Sequence, residues 1–163
     1  MSCDLNEFKV VVWGDSIGGM MPEPWPEKMQ NSYNACLAAS CRLEVVNSAI
    51  CGIAAADAKG NFERDVATHQ PDLVIIQYRP VSFVVLPSNL TRGDSVLLYN
   101  QAAIAAAKEA KVEFLDIQQI DIEPLKFNDL VVADGVHLSD WGKMVYSHNT
   151  ANRVAQIIRC KGR

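Results

Sequence analysis

Two short polar motifs, one toward each end of the chain, carry the residue types of a hydrolytic site. Ser16 follows the apolar run Phe8–Trp13, and Asp134 and His137 stand three positions apart in a later segment. A serine hydroxyl becomes a nucleophile when a histidine takes its proton and a carboxylate fixes the histidine tautomer. An Asp-x-x-His spacing lets the carboxylate reach Nδ1 of the ring and leaves Nε2 for the serine. The sequence therefore predicts a catalytic triad of Ser16, His137 and Asp134.

The elements that must position these residues alternate between strands and helices. The predicted strands are Phe8–Trp13, Leu43–Asn47, Leu73–Gln77, Ser82–Leu86 and Val112–Asp116. The predicted helices are Pro26 to about Ser40, Ala54–His69, Val96–Ala110, and a last helix that is capped by Ser139 or Asp140 and runs to about Arg159. Such alternation is typical of an α/β fold with a mainly parallel sheet that is covered on both faces.

The loops after the strands are expected to meet at one edge of this sheet, because ligands of such folds bind at the carboxyl ends of the strands. Ser16 follows the first strand, Gly52 the second and Tyr78–Arg79 the third. Asp134 and His137 precede the last helix. The backbone N–H groups of Ser16 and Gly52 can point at a developing oxyanion, and donors of this kind often make the largest catalytic contribution.

Composition limits the class of protein. The 163 residues suit one domain, residues 1–163, and the net charge of −4 without a basic cluster argues against a nucleic-acid partner. The segment Met1–Glu7 is acidic and polar, unlike a signal peptide, and no apolar run is long enough to span a membrane. The five cysteines match no zinc spacing. We therefore expect a cytoplasmic protein that uses no metal or cofactor and binds neither nucleic acid nor membranes.

Three segments resemble conserved blocks of a known family. Gly14–Ile17, Asn47–Gly52 and Asp134–Ser139 are similar to the first, second and fifth blocks of the SGNH (GDSL-type) hydrolases, in the same order and with similar spacing. The resemblance extends over nearly the whole chain. It implies a flavodoxin-like three-layer α/β/α sandwich whose mainly parallel sheet has about five strands.

The resemblance also implies an activity and assigns roles to single residues. Ser16 is then the nucleophile, His137 the base and Asp134 the acid that orients the base. The N–H groups of Ser16 and Gly52 form part of the oxyanion hole. The substrate is expected to be a small-molecule ester with an acetyl or other short acyl group, which is hydrolysed through an acyl-serine intermediate.

The third block of the family is where this sequence departs from the pattern. The family places Gly-x-Asn-Asp after the third strand, and its asparagine donates to the oxyanion, but this chain has Arg79–Ser82 there. Only Arg79–Val81 separate Tyr78 from the strand Ser82–Leu86, whereas a parallel crossover needs about a dozen residues or more. The fold is therefore expected to be altered around residues 78–88, without the third block and the helix that follows it.

Three arrangements of Ser82–Leu86 stay open: it pairs antiparallel, it extends the third strand, or it pairs with another molecule. The last predicts a strand-exchanged homodimer through residues 78–90, because the missing helix exposes apolar surface. Losing one oxyanion donor typically costs about 10²–10³ in rate, so the sequence predicts a weak esterase. The alternatives are a catalytically impaired binding or interaction protein of the same fold and a truncated product that persists as a folded dimer.

Overall fold

The computed structural model describes residues 6–19, 22–36, 41–53, 55–77, 101–102, 104–111, 127–134 and 137–161. The chain divides into two compact units, of which the first comprises Met1–Arg79 and Pro124–Arg163 and the second Pro80–Glu123. The first unit holds the strands and the polar motifs described below. In the second unit, residues 101–102 and 104–110 are helical (α5), as predicted for this part of the chain.

Three parallel strands form the sheet of the first unit in its described part. β1 (Asn6–Gly14) lies in the middle, between β2 (Cys41–Asn47) and β3 (Leu73–Gln77). Val10–Val12 are fully buried, because β-branched residues suit a strand that is covered on both faces. The predicted α/β fold with a parallel sheet is confirmed, and β3 has the predicted bounds.

Two long helices cover one face of the sheet, called here the first face. They are α2 (Trp25–Cys36) and α7 (Asp140–Lys161), which also pack against each other. The Ser139 hydroxyl accepts the N–H of Gly142 at 3.0 Å, so Ser139 caps α7 as predicted. The buried core of this face consists of Phe8, Val10, Val12, Ile17, Trp25, Met29, Tyr33, Cys41, Leu43, Ala151, Val154 and Ala155.

Short helical segments cover the opposite face, called here the second face. They are α3 (Ala55–Ala58), a 3₁₀ turn (Lys59–Asn61), α4 (Phe62–Asp65) and a second 3₁₀ turn (Ala67–His69). The prediction of one continuous helix over Ala54–His69 is therefore wrong within residues 55–69. Gly60 and Asn61 are weak helix formers, and Val66 leaves the helical region with a φ of −129°. The buried core of this face consists of Val11, Trp13, Ala58 and Val66.

Side chains of α2 hydrogen-bond to the outer edge of β2. The Asn34 amide donates to the Leu43 carbonyl and accepts the Leu43 N–H, both at 2.9 Å. The Gln30 side-chain carbonyl accepts the Val45 N–H at 2.6 Å. Asn34 and Gln30 thus occupy three backbone groups that a neighbouring strand uses in a sheet.

Other parts of the sequence analysis fall on short or undescribed segments. The single helical turns α1 (Ser16–Gly19) and α6 (Phe127–Leu130) were not predicted. The predicted strands Ser82–Leu86 and Val112–Asp116, and the altered region 78–88, lie outside the described residues, so the count of five strands stays a prediction. Within the described ranges, no helix is both long and apolar enough to cross a membrane.

Candidate active site

Ser16 lies at the start of a tight turn that follows β1, called here the Ser16 turn (residues 15–19). The turn is anchored to β3, because the Asp15 N–H donates to the Gln77 carbonyl at 3.1 Å. Gly14 lies so close to that carbonyl that a Cβ atom would overlap it, which explains the glycine. The Asp15 carboxylate accepts the Ile17 N–H at 3.0 Å. These contacts hold Ser16 at the N-terminal end of α1.

A second set of polar contacts holds the far side of the Ser16 turn. The Asn47 side-chain amide donates to the Gly18 carbonyl at 3.0 Å and to the Glu27 carboxylate at 3.1 Å. The side-chain carbonyl of Asn47 accepts the Ala49 N–H at 3.2 Å. Asn47, the last residue of β2, therefore joins the Ser16 turn to α2 and to the loop after β2.

Asp134 and His137 lie in a short loop between α6 and α7. Val131 and Leu138 form an antiparallel bridge across this loop, and the Val132 N–H donates to the His137 carbonyl at 2.9 Å. Inside the loop, the His137 N–H donates to the Asp134 carboxylate at 3.0 Å. The backbone of His137 is therefore fixed two residues before Ser139, the cap of α7.

The three residues of the predicted triad are in direct contact. Ser16 Oγ lies 2.9 Å from His137 Nε2, and His137 Nδ1 lies 2.7 Å from Asp134 Oδ2. A carboxylate at Nδ1 favours the tautomer with its proton there, so Nε2 accepts the proton of the Ser16 hydroxyl. The side chains of His137 and Asp134 are 25% and 45% exposed, so this cluster borders solvent. The arrangement is chemically suited to activating the serine as a nucleophile.

Gly52 lies in the loop that continues from β2. The backbone ladder between β1 and β2 extends into this loop, since the Ile50 N–H donates to the Gly14 carbonyl at 2.9 Å. Gly52 is exposed and has a φ of +80°, which glycine adopts without steric cost. Within the described residues, the backbone N–H groups of Ser16 and Gly52 donate to no acceptor. The altered third block, Arg79–Ser82, lies outside the described residues.

The structure adds residues that the sequence analysis did not single out. Besides Asn47, they include Gln77, whose side-chain carbonyl accepts the indole N–H of Trp25 at 3.4 Å, and Lys143, which is described further below. Gln77 carried a signal, because it is the polar residue that ends the apolar strand β3 at the carboxyl edge. For Lys143 the sequence offers no such signal, because nothing in its own segment indicates that its side chain is buried against Pro22. Among the residues that the structure describes, no group of three or more His, Cys, Asp or Glu side chains could hold a metal ion.

Comparisons with known proteins concern the fold. No protein-family model and no curated protein matches the sequence. Among solved structures, the chain is similar to a lipase/acylhydrolase from Enterococcus faecalis, with a TM-score of 0.70 and 15% identity; the match covers 91% of this chain and 96% of that one. A protein described as lipolytic and of the G-D-S-L family, from Desulfitobacterium hafniense DCB-2, matches with a TM-score of 0.64 and 19% identity over 88% of this chain and 98% of that one.

A third similar structure is a catalytic mutant of an acetylxylan esterase from Geobacillus stearothermophilus. Its TM-score is 0.65 and its identity 18%, and the match covers 91% of this chain and 93% of that one. The three matches each span most of both chains, so the likeness extends over a whole fold and is not confined to the motifs.

Proposed function

We propose that this chain, which has the fold of the SGNH (GDSL-type) hydrolases, is a serine ester hydrolase that cleaves small esters with an acetyl or other short acyl group. The observation that carries the proposal is the chain of contacts from Ser16 to His137 and from His137 to Asp134, at 2.9 and 2.7 Å. The similar structures described as a lipase/acylhydrolase and an acetylxylan esterase support the ester as the class of substrate.

In the first half of the proposed reaction, His137 Nε2 takes the hydroxyl proton of Ser16 while Oγ attacks the carbonyl carbon of the ester. Asp134 holds the ring by Nδ1 and stabilises the imidazolium that forms. The backbone N–H groups of Ser16 and Gly52 stabilise the negative charge on the carbonyl oxygen. The imidazolium then gives its proton to the departing alcohol, and the acyl group stays on Ser16.

In the second half, water replaces the alcohol. His137 takes a proton from the water, the resulting hydroxide attacks the acyl carbon, and Ser16 regains its proton as the carboxylic acid leaves. The oxyanion then has two backbone donors and lacks the third, which the family takes from the block that is altered here. The expected rate is about 10²–10³ below that of a site with all three donors. The proposed enzyme is therefore slow, but its three triad residues are sufficient for both formation and hydrolysis of the acyl-serine intermediate.

Labelling with a fluorophosphonate probe tests this proposal without a guess about the substrate. We expect one adduct per chain by intact mass and none on the Ser16→Ala variant. Ser147→Ala is the matched control, because the Ser147 hydroxyl is buried in α7 and donates to the Met144 carbonyl at 2.9 Å; this variant is expected to label like the unaltered chain. An unlabelled unaltered chain would contradict the proposal and favour a binding protein of the same fold.

The strand-exchanged homodimer through residues 78–90 stays a separate proposal, since those residues lie outside the described part of the chain. Size-exclusion chromatography with light scattering tests it. A mass of twice the 17.9 kDa chain is the expected result, and a monomer at high protein concentration contradicts it.

A further inference from the structure

Three contacts join the segment that begins at Ser16 to the segment that begins at His137, and each pairs residues 121 positions apart. The first is Ser16 with His137. The second is the Lys143 ammonium, which donates to the Pro22 carbonyl at 3.2 Å. The third is the ring of Trp25 with the ring of Tyr146, whose centroids are 5.2 Å apart. The two segments therefore lie side by side at three points with the same offset, from the serine–histidine contact to the contact between the rings of Trp25 and Tyr146.

Lys143 is the charged member of this series and is nearly buried. Its side chain is only 7% exposed, and besides Pro22 it has the Asp140 carboxylate at 3.5 Å as an ion-pair partner. Burying an ammonium group costs free energy unless it is paired and hydrogen-bonded. An apolar side chain could fill the same space without that cost. The contact with Pro22 therefore points to a role beyond filling space.

Lys143 and its partner Pro22 lie at equal distances in the sequence from His137 and Ser16. Pro22 lies six residues after Ser16 and Lys143 six residues after His137. The Lys143 N–H donates to the Ser139 carbonyl at 2.8 Å, so this lysine belongs to the capped first turn of α7, which begins three residues after His137. The bond from Lys143 to the Pro22 carbonyl joins this turn to the residues that precede α2.

We propose that Lys143 is a positioning residue that sets the distance between Ser16 Oγ and His137 Nε2 by holding the Pro22 carbonyl against the first turn of α7. This inference rests on the proposed ester hydrolysis for its kinetic consequence but not for its structural one. A displacement of about 1 Å from reactive geometry can cost about 10²-fold in rate. Loss of the Lys143 contact is thus expected to lower kcat much more than it changes KM.

The kinetic test uses Lys143→Met, which keeps the length of the side chain and removes its charge and donors. With p-nitrophenyl acetate we expect kcat to fall about 10- to 100-fold while KM changes less than about threefold. Lys143→Arg restores a donor and is expected to recover most of kcat. If Lys143→Met does not fold, as judged by urea unfolding, Lys143→Gln replaces it with the same expectation, because the glutamine amide is one bond too short to reach Pro22.

Lys28→Met is the matched control, because Lys28 also contacts the Pro22–Pro24 region but through the exposed Glu23 carboxylate. It is expected to leave kcat unchanged. Equal losses of kcat in Lys28→Met and Lys143→Met would overturn the proposal, as would a Lys143→Met variant, or the Lys143→Gln variant in its place, with full kcat.

A readout without turnover separates this inference from the proposed function. The NMR signal of the His137 ring is compared between the unaltered chain and Ser16→Ala, first with Lys143 present and then in the Lys143→Met background. The shift caused by Ser16→Ala is expected to be at least halved when Lys143 is replaced. If the shift is halved, but no ester is cleaved and the fluorophosphonate probe does not label Ser16, the proposed function fails and the positioning role stands. If the shift is the same in both backgrounds, the positioning role fails even if esters are cleaved.

Discussion

Among the described residues, the first face holds a contact between Trp25 and Tyr146 and the second face a contact between Trp13 and Phe62, and the two pairs differ in their surroundings. On the first face, the rings of Trp25 and Tyr146 have centroids 5.2 Å apart, and Trp25 is fully buried. On the second face, the centroids of Trp13 and Phe62 are 5.4 Å apart, and Phe62 is 44% exposed. Both distances suit a favourable aromatic contact. The two pairs are thus alike in the distance between their rings. They differ in burial and in the segments to which the rings belong.

The helices of the first face follow Ser16 and His137 closely in the sequence, whereas the short segments of the second face do not. Tyr146 is on α7, which begins three residues after His137, and Trp25 opens α2, which follows the Ser16 turn. Phe62 belongs to the series of short helical segments that cover the second face. We therefore expect substitutions on the first face to affect the geometry of the site, and substitutions on the second face to affect mainly stability.

The largest contrast is expected between two carboxylates, Asp134 beside His137 and Asp65 beside Arg64. Asp134→Asn is expected to lower kcat by about 10²–10⁴, because an amide does not stabilise the required tautomer or the imidazolium. Asp65→Asn, on the second face, is expected to change kcat by less than about twofold, since a change at a distance from the site acts only through stability. Steady-state kinetics of both variants measures the contrast, and similar losses of kcat would mean that the second face also controls the site.

Removing one aromatic ring from each pair is expected to affect stability unequally. Trp25→Ala leaves a cavity in a closed core and is expected to lower the free energy of unfolding by about 3–5 kcal/mol. Phe62→Ala removes a ring that is nearly half exposed, and the expected loss is about 1 kcal/mol. Urea unfolding of the two variants gives the comparison. A loss from Phe62→Ala as large as that from Trp25→Ala would show that the short segments cover the sheet as tightly as α2 and α7.

The first face is expected to lose stability in alkali. Burial, together with the hydrogen bond to Cys41 Sγ, raises the pKa of Tyr33 to about 12, compared with about 10 in an unfolded chain. Below the lower value both states keep the phenol proton and the contribution to stability is fully present. Between about pH 10 and 12 the unfolded state loses the proton first, so the free energy of unfolding falls as pH rises. Tyr33→Phe is expected to flatten this slope in urea unfolding at several pH values; an unchanged slope contradicts the assignment to Tyr33.

The second face is expected to show the opposite and smallest effect. The Arg64 guanidinium hydrogen-bonds Asp65 and holds the pKa of Asp65 below its ordinary value of 3.8. Above that value both states are ionised and the contribution is present; as pH falls through the folded pKa the contribution is lost, because the unfolded state binds the proton first. The effect is small since Arg64 is exposed and solvent screens the pair. Asp65→Asn should reduce the acid-induced loss of stability, and equal acid profiles for the two proteins would assign that loss to other carboxylates.

The sequence predicts the parts of this molecule that follow from patterns within one segment. β3 is an apolar run between Asp72 and the end of the strand at Gln77, and the contact of Asp134 with His137 depends only on residues three positions apart. The meeting of Ser16 with His137 additionally needs the rule that loops at the carboxyl ends of parallel strands converge. These contacts could be anticipated because each one depends on a local spacing or on the sheet as a whole.

The remaining features depend on packing between segments that are distant in sequence. The bond from Lys143 to Pro22 joins the first turn of α7 to the residues that precede α2, and no pattern within either segment predicts that contact. Over residues 55–69, the helical spacing of Phe62 and Val66 favoured one helix, but the weak helix formers Gly60 and Asn61 interrupt it. The low helix propensity of these two residues outweighs the apolar spacing, so the spacing alone does not predict the break in the helix.

The bonds from Asn34 and Gln30 to β2 protect one outer edge of the sheet formed by the described residues. At the outer edge of β2, side chains of the same molecule occupy three of the backbone groups that an incoming strand would use, and covering an edge protects natural sheets against edge-to-edge aggregation. Addition of a strand from a second copy is therefore hindered at β2. The segment predicted to exchange between molecules follows β3 in the sequence, so in the proposed strand-exchanged dimer this protection of β2 would oppose further growth into a fibre at that edge.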